Sequence, residues 1–99
     1  MPITIHLYYT GQNGQARAFA NEMEARGIAA KIRAAAGNLR YEYILPLADS
    51  ETVLLIDAWK DQAALDAHHA SPLMAEISAL REKYDLHRKM ARFLCKKGL

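Results

Sequence analysis

Residues 51–72 read ETVLLIDAWKDQAALDAHHASP, and this stretch decides the fold. Val53, Leu54, Leu55 and Ile56 form a short apolar run, bounded by polar residues and rich in strand formers, which predicts a buried strand. The strand ends on the only tryptophan, Trp59. Lys60-Asp61 then breaks the run. Asp61 offers the short acceptor that caps a helix, and Ala63, Ala64 and Ala67 favour helix beyond it. A strand therefore delivers an indole at its end, and a helix brings His68 back about two turns later. A pocket is expected where they meet.

Just upstream, LRYEYILPL (residues 39–47) alternates with period two: Leu39, Tyr41, Tyr43 and Leu45 on one face, Arg40, Glu42 and Ile44 on the other. Pro46 puts this strand at a sheet edge or frays its end. The short connection Ala48–Glu51 predicts an antiparallel hairpin between the two strands. At the start of the chain, Ile3, Ile5, Leu7 and Tyr9 alternate with Thr4, His6 and Tyr8, giving a further strand. A loop follows, with Asn13 expected to cap a helix whose stripe is Ala16, Phe19, Ala20 and Met23. Gly27 interrupts that helix, and Ile28 and Ile32 extend it to a stop at Gly37-Asn38. Ser71 as cap and Pro72 as first residue open another helix, buried along Leu73, Ile77, Leu80 and Tyr84, with Arg81-Glu82-Lys83 on its solvated side. A last strand runs from about Leu86 to Cys95.

The order β-α-β-β-α-β, its second helical region split in two, is the ferredoxin-like arrangement: an α+β fold with a four-stranded antiparallel sheet and helices on one face. The other face needs cover. Two strands alternate apolar residues on both faces, the pattern of a sheet buried on both sides. Either the Ile3/Ile5/Leu7 set or its opposite set makes the uncovered patch, and a second copy related by a two-fold axis is the simplest cover. A homodimer is the expected partner state.

A chain of 99 residues, 52% hydrophobic and 24% charged, suits one small domain spanning 1–99. Its net charge of +2 does not point to nucleic acid, and the aromatic motifs of the RNA-binding version of this topology are missing. No apolar run reaches the ~20 residues that span a bilayer, and the N-terminus does not read as a signal peptide. A cytoplasmic location without membrane association is expected. The basic residues Arg88, Lys89, Arg92, Lys96 and Lys97 read as a solvated strand edge and terminus. Cys95 stands alone, and no HxxxH, HxH or CxxC spacing marks a metal site. Gly11 and Gly14 do not make a dinucleotide loop.

Three segments together resemble the antibiotic-biosynthesis monooxygenase family: Gly37-Asn38-Leu39-Arg40-Tyr41, the strand Val53–Trp59, and Ala64-Leu65-Asp66-Ala67-His68. The resemblance covers nearly the whole chain. It implies a dimeric α/β barrel of ferredoxin-like subunits, and an activity in which quinols or polyphenols are oxidised without metal, flavin or haem cofactor. This sequence also departs from its relatives. Leu55 stands where one monooxygenase group has a polar amide, and Leu65 where that group has a tyrosine. Haem-degrading relatives carry tryptophan near the position of His68 and a histidine where Ser78 and Ala79 stand, so the haem reading is disfavoured.

The candidate catalytic residues are His68 and His6. A neutral imidazole with an ordinary pKa of ~6.5 is suited to take a phenolic proton near neutrality. His68 also reads as a capping or hydrogen-bonding histidine near the helix end, and His6 as a satisfied buried histidine. Trp59, Tyr41, Tyr43, Asp57, Leu55 and Leu65 are the candidate substrate-binding residues. Trp59 reads as a stacking platform or as a packing anchor. Asp57, on the face of Trp59, reads as a partner for a histidine or as a solvated strand end. His69 is expected on the surface, pairing with Asp66, and His87 has no assigned role. The favoured function is a cofactor-independent monooxygenase using O₂ on a small electron-rich aromatic such as a quinol. The alternative, favoured by Leu55 and Leu65, is a non-catalytic dimeric small-molecule-binding or stress-associated protein of the same fold.

Overall fold

The computed structural model describes residues 1–94 of the chain. Strand β1 (Ile3–Thr10) is followed by helices α1 (Gln15–Ala25) and α2 (Ile28–Arg33), then strands β2 (Asn38–Ile44) and β3 (Thr52–Trp59). Helices α3 (Gln62–His69) and α4 (Leu73–Lys83) precede strand β4 (His87–Leu94). The four strands form one antiparallel sheet in the order β2-β3-β1-β4. This is the ferredoxin-like α+β fold, and within one chain the sheet stays open. Cys95, Lys96 and Lys97, which the sequence places at the strand end and basic terminus, lie outside the described residues. Among the described residues no helix is long and apolar enough to cross a membrane.

Strand pairing decides which face each side chain takes, because directly paired residues project to the same side. Ile3 pairs with Trp59, Ile5 with Asp57, Leu7 with Leu55 and Tyr9 with Val53. All eight face the helices. Phe19 and Met23 of α1, Ile28 and Ile32 of α2, Leu65 of α3, and Ile77 and Leu80 of α4 pack onto this layer. The helices thus cover the Ile3/Ile5/Leu7 set. Thr4, His6 and Tyr8, with Leu54, Ile56 and Ala58 beside them, form the opposite face.

Several boundaries differ from expectation for identifiable reasons. Asn13 does not cap α1; the cap position is Gly14, at φ 76°, whose N–H donates to Glu51 Oε2 at 3.2 Å. A glycine takes this left-handed conformation without steric cost, and no side chain caps the helix. Leu39 is 58% exposed because a bulge between Asn38 and Arg40 takes it out of the alternation. Leu45 lies beyond the end of β2, so the connection to β3 spans seven residues, 45–51. The hairpin and the edge position of β2 hold. Asp61 caps α3 as expected, its Oδ1 accepting the Ala64 N–H at 2.9 Å. Ser71 Oγ accepts from Leu73 N–H at 3.2 Å, although α4 begins one residue later than expected.

Gly37 fixes how β2 enters the sheet. Its φ is +83°, and a Cβ there would lie 2.6 Å from the Ala64 Cβ. Its carbonyl accepts the Lys60 N–H at 2.8 Å. The glycine therefore lets the β2 entry lie directly against the first turn of α3, the helix that carries His68.

Candidate active site

A cavity of about 100 Å³ lies between the sheet and helices α3 and α4. Its apolar wall includes Ile5, Leu7, Leu55, Met74, Ile77 and Met90. Asp57, Tyr9, Tyr41 and His68 bring polar groups to the same space, with Arg81 and Arg88 also among its lining residues. Alternation on the strands explains the set. Tyr41 pairs with Asp57 across β2 and β3, Ile5 pairs with Asp57 across β1 and β3, and Met90 pairs with Leu7 across β4 and β1.

Asp57 is 4% exposed. Its Oδ1 accepts a 2.8 Å hydrogen bond from Trp59 Nε1, and no cation forms a salt bridge with it among the described residues. Burial pushes its carboxyl up to about 6, with the indole N–H partly opposing the rise. Near neutrality Asp57 is thus mostly ionised, but at a cost in solvation. Because its folded-state pKa is raised, the stability it contributes is full below its unfolded value near 4 and is lost as pH rises through about 6. Asp57→Asn keeps an acceptor for Trp59 and removes the buried charge. It should stabilise the protein by on the order of 2–3 kcal/mol at pH 8 and by nearly nothing at pH 4. Thermal unfolding of both proteins at the two pH values checks this; equal midpoints at pH 8 would show that the carboxylate is well solvated.

His68 sits in the last turn of α3, buried, with its ring stacked on Trp59 at 4.7 Å between centroids and 25° between planes. Burial, and secondarily the charge of His69, holds its pKa below the ordinary histidine value. The imidazole is therefore neutral at neutral pH and available as a proton acceptor. Tyr9 and Tyr41 have raised phenol pKa values, burial being the main cause in both. They remain protonated and act as hydrogen-bonding walls. The Tyr41 and Tyr43 hydroxyls are 3.2 Å apart, which ties Tyr43 to the site through one hydrogen bond.

Of the eight residues singled out in the sequence, Tyr41, Leu55, Asp57 and His68 line this cavity. Trp59 is behind the wall rather than in it: 1% exposed, it holds Asp57 through its N–H and His68 through its ring face. With His68 it also borders a second, mainly apolar space of about 140 Å³ among Ile32, Ala35, Ala64 and Leu73. Leu65 is a fully buried core residue. His6 lies on the opposite sheet face, edge-on to Phe93 at 4.9 Å, because its pairing with Ile56 turns it away from the helices. The structure therefore does not bring His6 and His68 into one pocket. His69 does not pair with Asp66, which instead accepts a hydrogen bond from Gln62; its ring is 5.7 Å from that of His68. Among the described residues no cluster of three or more His, Cys, Asp or Glu has the arrangement to hold a metal ion.

Sequence reasoning missed Arg81, Arg88, Tyr9 and His69 as polar cavity residues. Arg81 was expected on the solvated face of its helix, yet it follows buried Ile77 by four residues, a spacing that shares a helix face. Arg88 and Tyr9 are paired across β4 and β1, so they share the inward face.

Residues 2–80 match the family profile described as antibiotic biosynthesis monooxygenase. The chain belongs to that family. Among solved structures, PA3566 from Pseudomonas aeruginosa is 29% identical, with a TM-score of 0.79 over 96% of this chain and 94% of that one. A Deinococcus radiodurans protein assigned to the antibiotic biosynthesis monooxygenases is 18% identical, with a TM-score of 0.84 over 100% and 96% of the two chains. SnoaB from Streptomyces nogalater, a cofactor-independent oxygenase, is 17% identical, with a TM-score of 0.79 over 99% and 96%. At such identities the last two establish the shared fold. No curated protein matches the sequence. Within the antibiotic biosynthesis monooxygenase family, then, this member has Leu55 and Asp57 in its cavity wall and His68 stacked on its tryptophan.

Proposed function

We propose that this protein is a monooxygenase that oxidises a small, electron-rich aromatic directly with O₂, a quinol being the simplest substrate, without metal, flavin or haem. The observation that carries this reading is the convergence of Asp57 and His68, two groups able to take a proton near neutrality, on an otherwise largely apolar cavity. Family membership and the fold shared with a cofactor-independent oxygenase support it.

Ionisation is the enabling step. A phenolate gives up an electron to O₂ far more readily than a phenol does. His68, neutral and buried, takes the phenolic proton. The Asp57 carboxylate stabilises the imidazolium that results, and Trp59 positions both groups. One-electron transfer gives a ring radical and superoxide, which combine at a ring carbon to form a carbon–oxygen bond. Loss of water then leaves the product. The balance is quinol plus O₂ to hydroxyquinone plus water, so four electrons leave the ring and no external reductant is required. The apolar wall keeps bulk water away from the radical pair.

The working unit in this reading is a homodimer, its two open sheet faces packed together. Incubating the protein with a panel of monocyclic quinols under ¹⁸O₂ tests the function. One ¹⁸O atom per product molecule is expected, at a rate well above autoxidation and abolished under argon. Equal product formation without O₂ overturns the reading. Ligand-induced thermal stabilisation without turnover would instead favour the binding-protein alternative.

A further inference from the structure

The mouth of the cavity has a charge arrangement that the proposed oxidation does not use. The end of α4 and the start of β4 are joined by a tight turn in which Leu86 N–H donates to Arg81 O at 3.2 Å. Asp85 takes the left-handed conformation there, at φ 51°, which aspartate tolerates better than most residues. The turn brings Arg81, from the last turn of α4, and Arg88, from the start of β4, to the same opening.

Both arginines also border the shallow outer groove, with Ser78, Glu82, Asp85 and Leu86. Even so, neither forms a salt bridge among the described residues, whereas Arg26, Arg33 and Arg40 are each paired with a glutamate. Arg92 is bonded to Gln62. The buried carboxylate of Asp57 lies on the cavity wall formed by the sheet. Tyr9 feels all three groups: Arg81 and Arg88 favour its ionised form and Asp57 opposes it, with burial outweighing them. The cavity lining is therefore polarised, with the two guanidiniums where α4 meets β4 and the carboxylate on the sheet wall, while Glu82 and Asp85 border only the outer groove.

Such a field orients a ligand. An anionic group is repelled by Asp57 and attracted by two guanidiniums, whose forked donors match a planar carboxylate. A phenolic hydroxyl is a donor, and its favoured partner is the carboxylate inside. The volume limits the rest. At about 100 Å³ the space is smaller than the roughly 150 Å³ that accommodates benzene, so one ring is the most it takes, with Met74 and Met90 yielding to admit it.

Resting on the oxygenase reading above, we propose that the substrate is a monocyclic phenol bearing an anionic substituent, a carboxylate in the simplest case. The acid is held at the mouth by Arg81 and Arg88, and the hydroxyl turns inward toward Asp57 and His68. Calorimetric titration under argon separates this from turnover. The probes are 2,5-dihydroxybenzoate and its neutral counterpart 2,5-dihydroxybenzamide, tested on the wild-type protein, R81Q, R88Q and the double variant.

The acid should bind at least tenfold more tightly than the amide. Each single substitution should cost the acid about tenfold and leave the amide unchanged, and added salt should narrow the difference. R81K should recover part of the loss, because a point charge replaces the fork. Equal affinity for acid and amide overturns the proposal, as do binding of neither and an equal weakening of both by the glutamines. Selective binding of the acid with no oxidation under air would remove the oxygenase reading and leave the anion site standing.

Discussion

Replacing His68 by phenylalanine should lower kcat by about 10²-fold or more while leaving the melting temperature within a few degrees of the wild-type value. Phenylalanine keeps a flat ring against Trp59, where the imidazole now stacks at 4.7 Å, so the packing is retained and only the nitrogens are lost. His68→Ala should lose the same activity and also some stability, since it empties a buried position next to the indole. The pH profile sharpens the test. In the wild type the acid limb of kcat/KM contains two groups, His68 held below the usual histidine range and Asp57 raised to about 6. Both line the same small cavity, so both shape the limb. Activity should fall as pH drops below about 6 because both acceptors become protonated. In His68→Phe the residual activity should keep a single limb, set by Asp57. An unchanged kcat would leave the imidazole as a packing partner of Trp59 and nothing more.

The helix-facing half of the site was legible in the sequence because the period-two pattern and one cap were unambiguous. Trp59 at the strand end, Asp61 as the cap and His68 in the helix that follows gave an indole meeting an imidazole, and the structure places them in stacked contact. Period two also put Tyr41 with Tyr43 and Asp57 with Trp59 on common faces. What periodicity does not carry is depth. Trp59 and Asp57 share a face, yet the indole is drawn behind the wall by its contacts with Ala64 and Leu65 in the core, while the shorter carboxylate remains in the lining. Nor does it say which face of β1 the helices cover. The pattern Ile3, Ile5, Leu7 against Thr4, His6, Tyr8 left that choice open, and the whole position of His6 depends on it. The arginines were hidden for another reason. Arg81 and Arg88 are charged residues in charged stretches, and only the turn at Asp85 shows that they meet.

Leu55 gains a physical meaning from the same geometry. Where one group of relatives resembled by the sequence carries an amide, this cavity has a leucine at the centre of its sheet wall, paired with Leu7 and Tyr43. Its polar groups are displaced by one alternation, to Asp57. Because Asp57 is fixed by Trp59 Nε1 at 2.8 Å, the carboxylate has one oxygen held and the other without a donor among the described residues. In the proposed function that second oxygen is the one available to a ligand or to a protonated His68.

A double substitution on the open sheet face, Tyr8→Asp with Phe93→Asp, should convert the proposed dimer to monomer at micromolar concentration. The choice of residues follows from the strand register. Ile5 faces the helices, so a charge there would disturb the core rather than an interface. Tyr8 and Phe93 are 39% and 50% exposed in the single chain, and each lies on the face that also carries Leu54, Ile56 and Ala58. The fold of one chain does not depend on burying them. A second copy would bury them, since a two-fold axis lays this face on itself and an interface made from a whole sheet face is of obligate size, above ~2,000 Å² in total. Each substitution then appears twice, and the interface takes four carboxylates out of water, with Lys89, paired with Tyr8 across β1 and β4, compensating only those at position 8. Even about 4 kcal/mol lost overall would raise the dissociation constant by about 10³-fold. The wild-type protein should sediment at about twice the 11.1 kDa chain mass, and the variant at the chain mass with its circular dichroism spectrum intact. A wild-type protein that sediments as a stable monomer would defeat the proposal, because the patch formed by Tyr8, Leu54 and Phe93 would then be shown to remain in water.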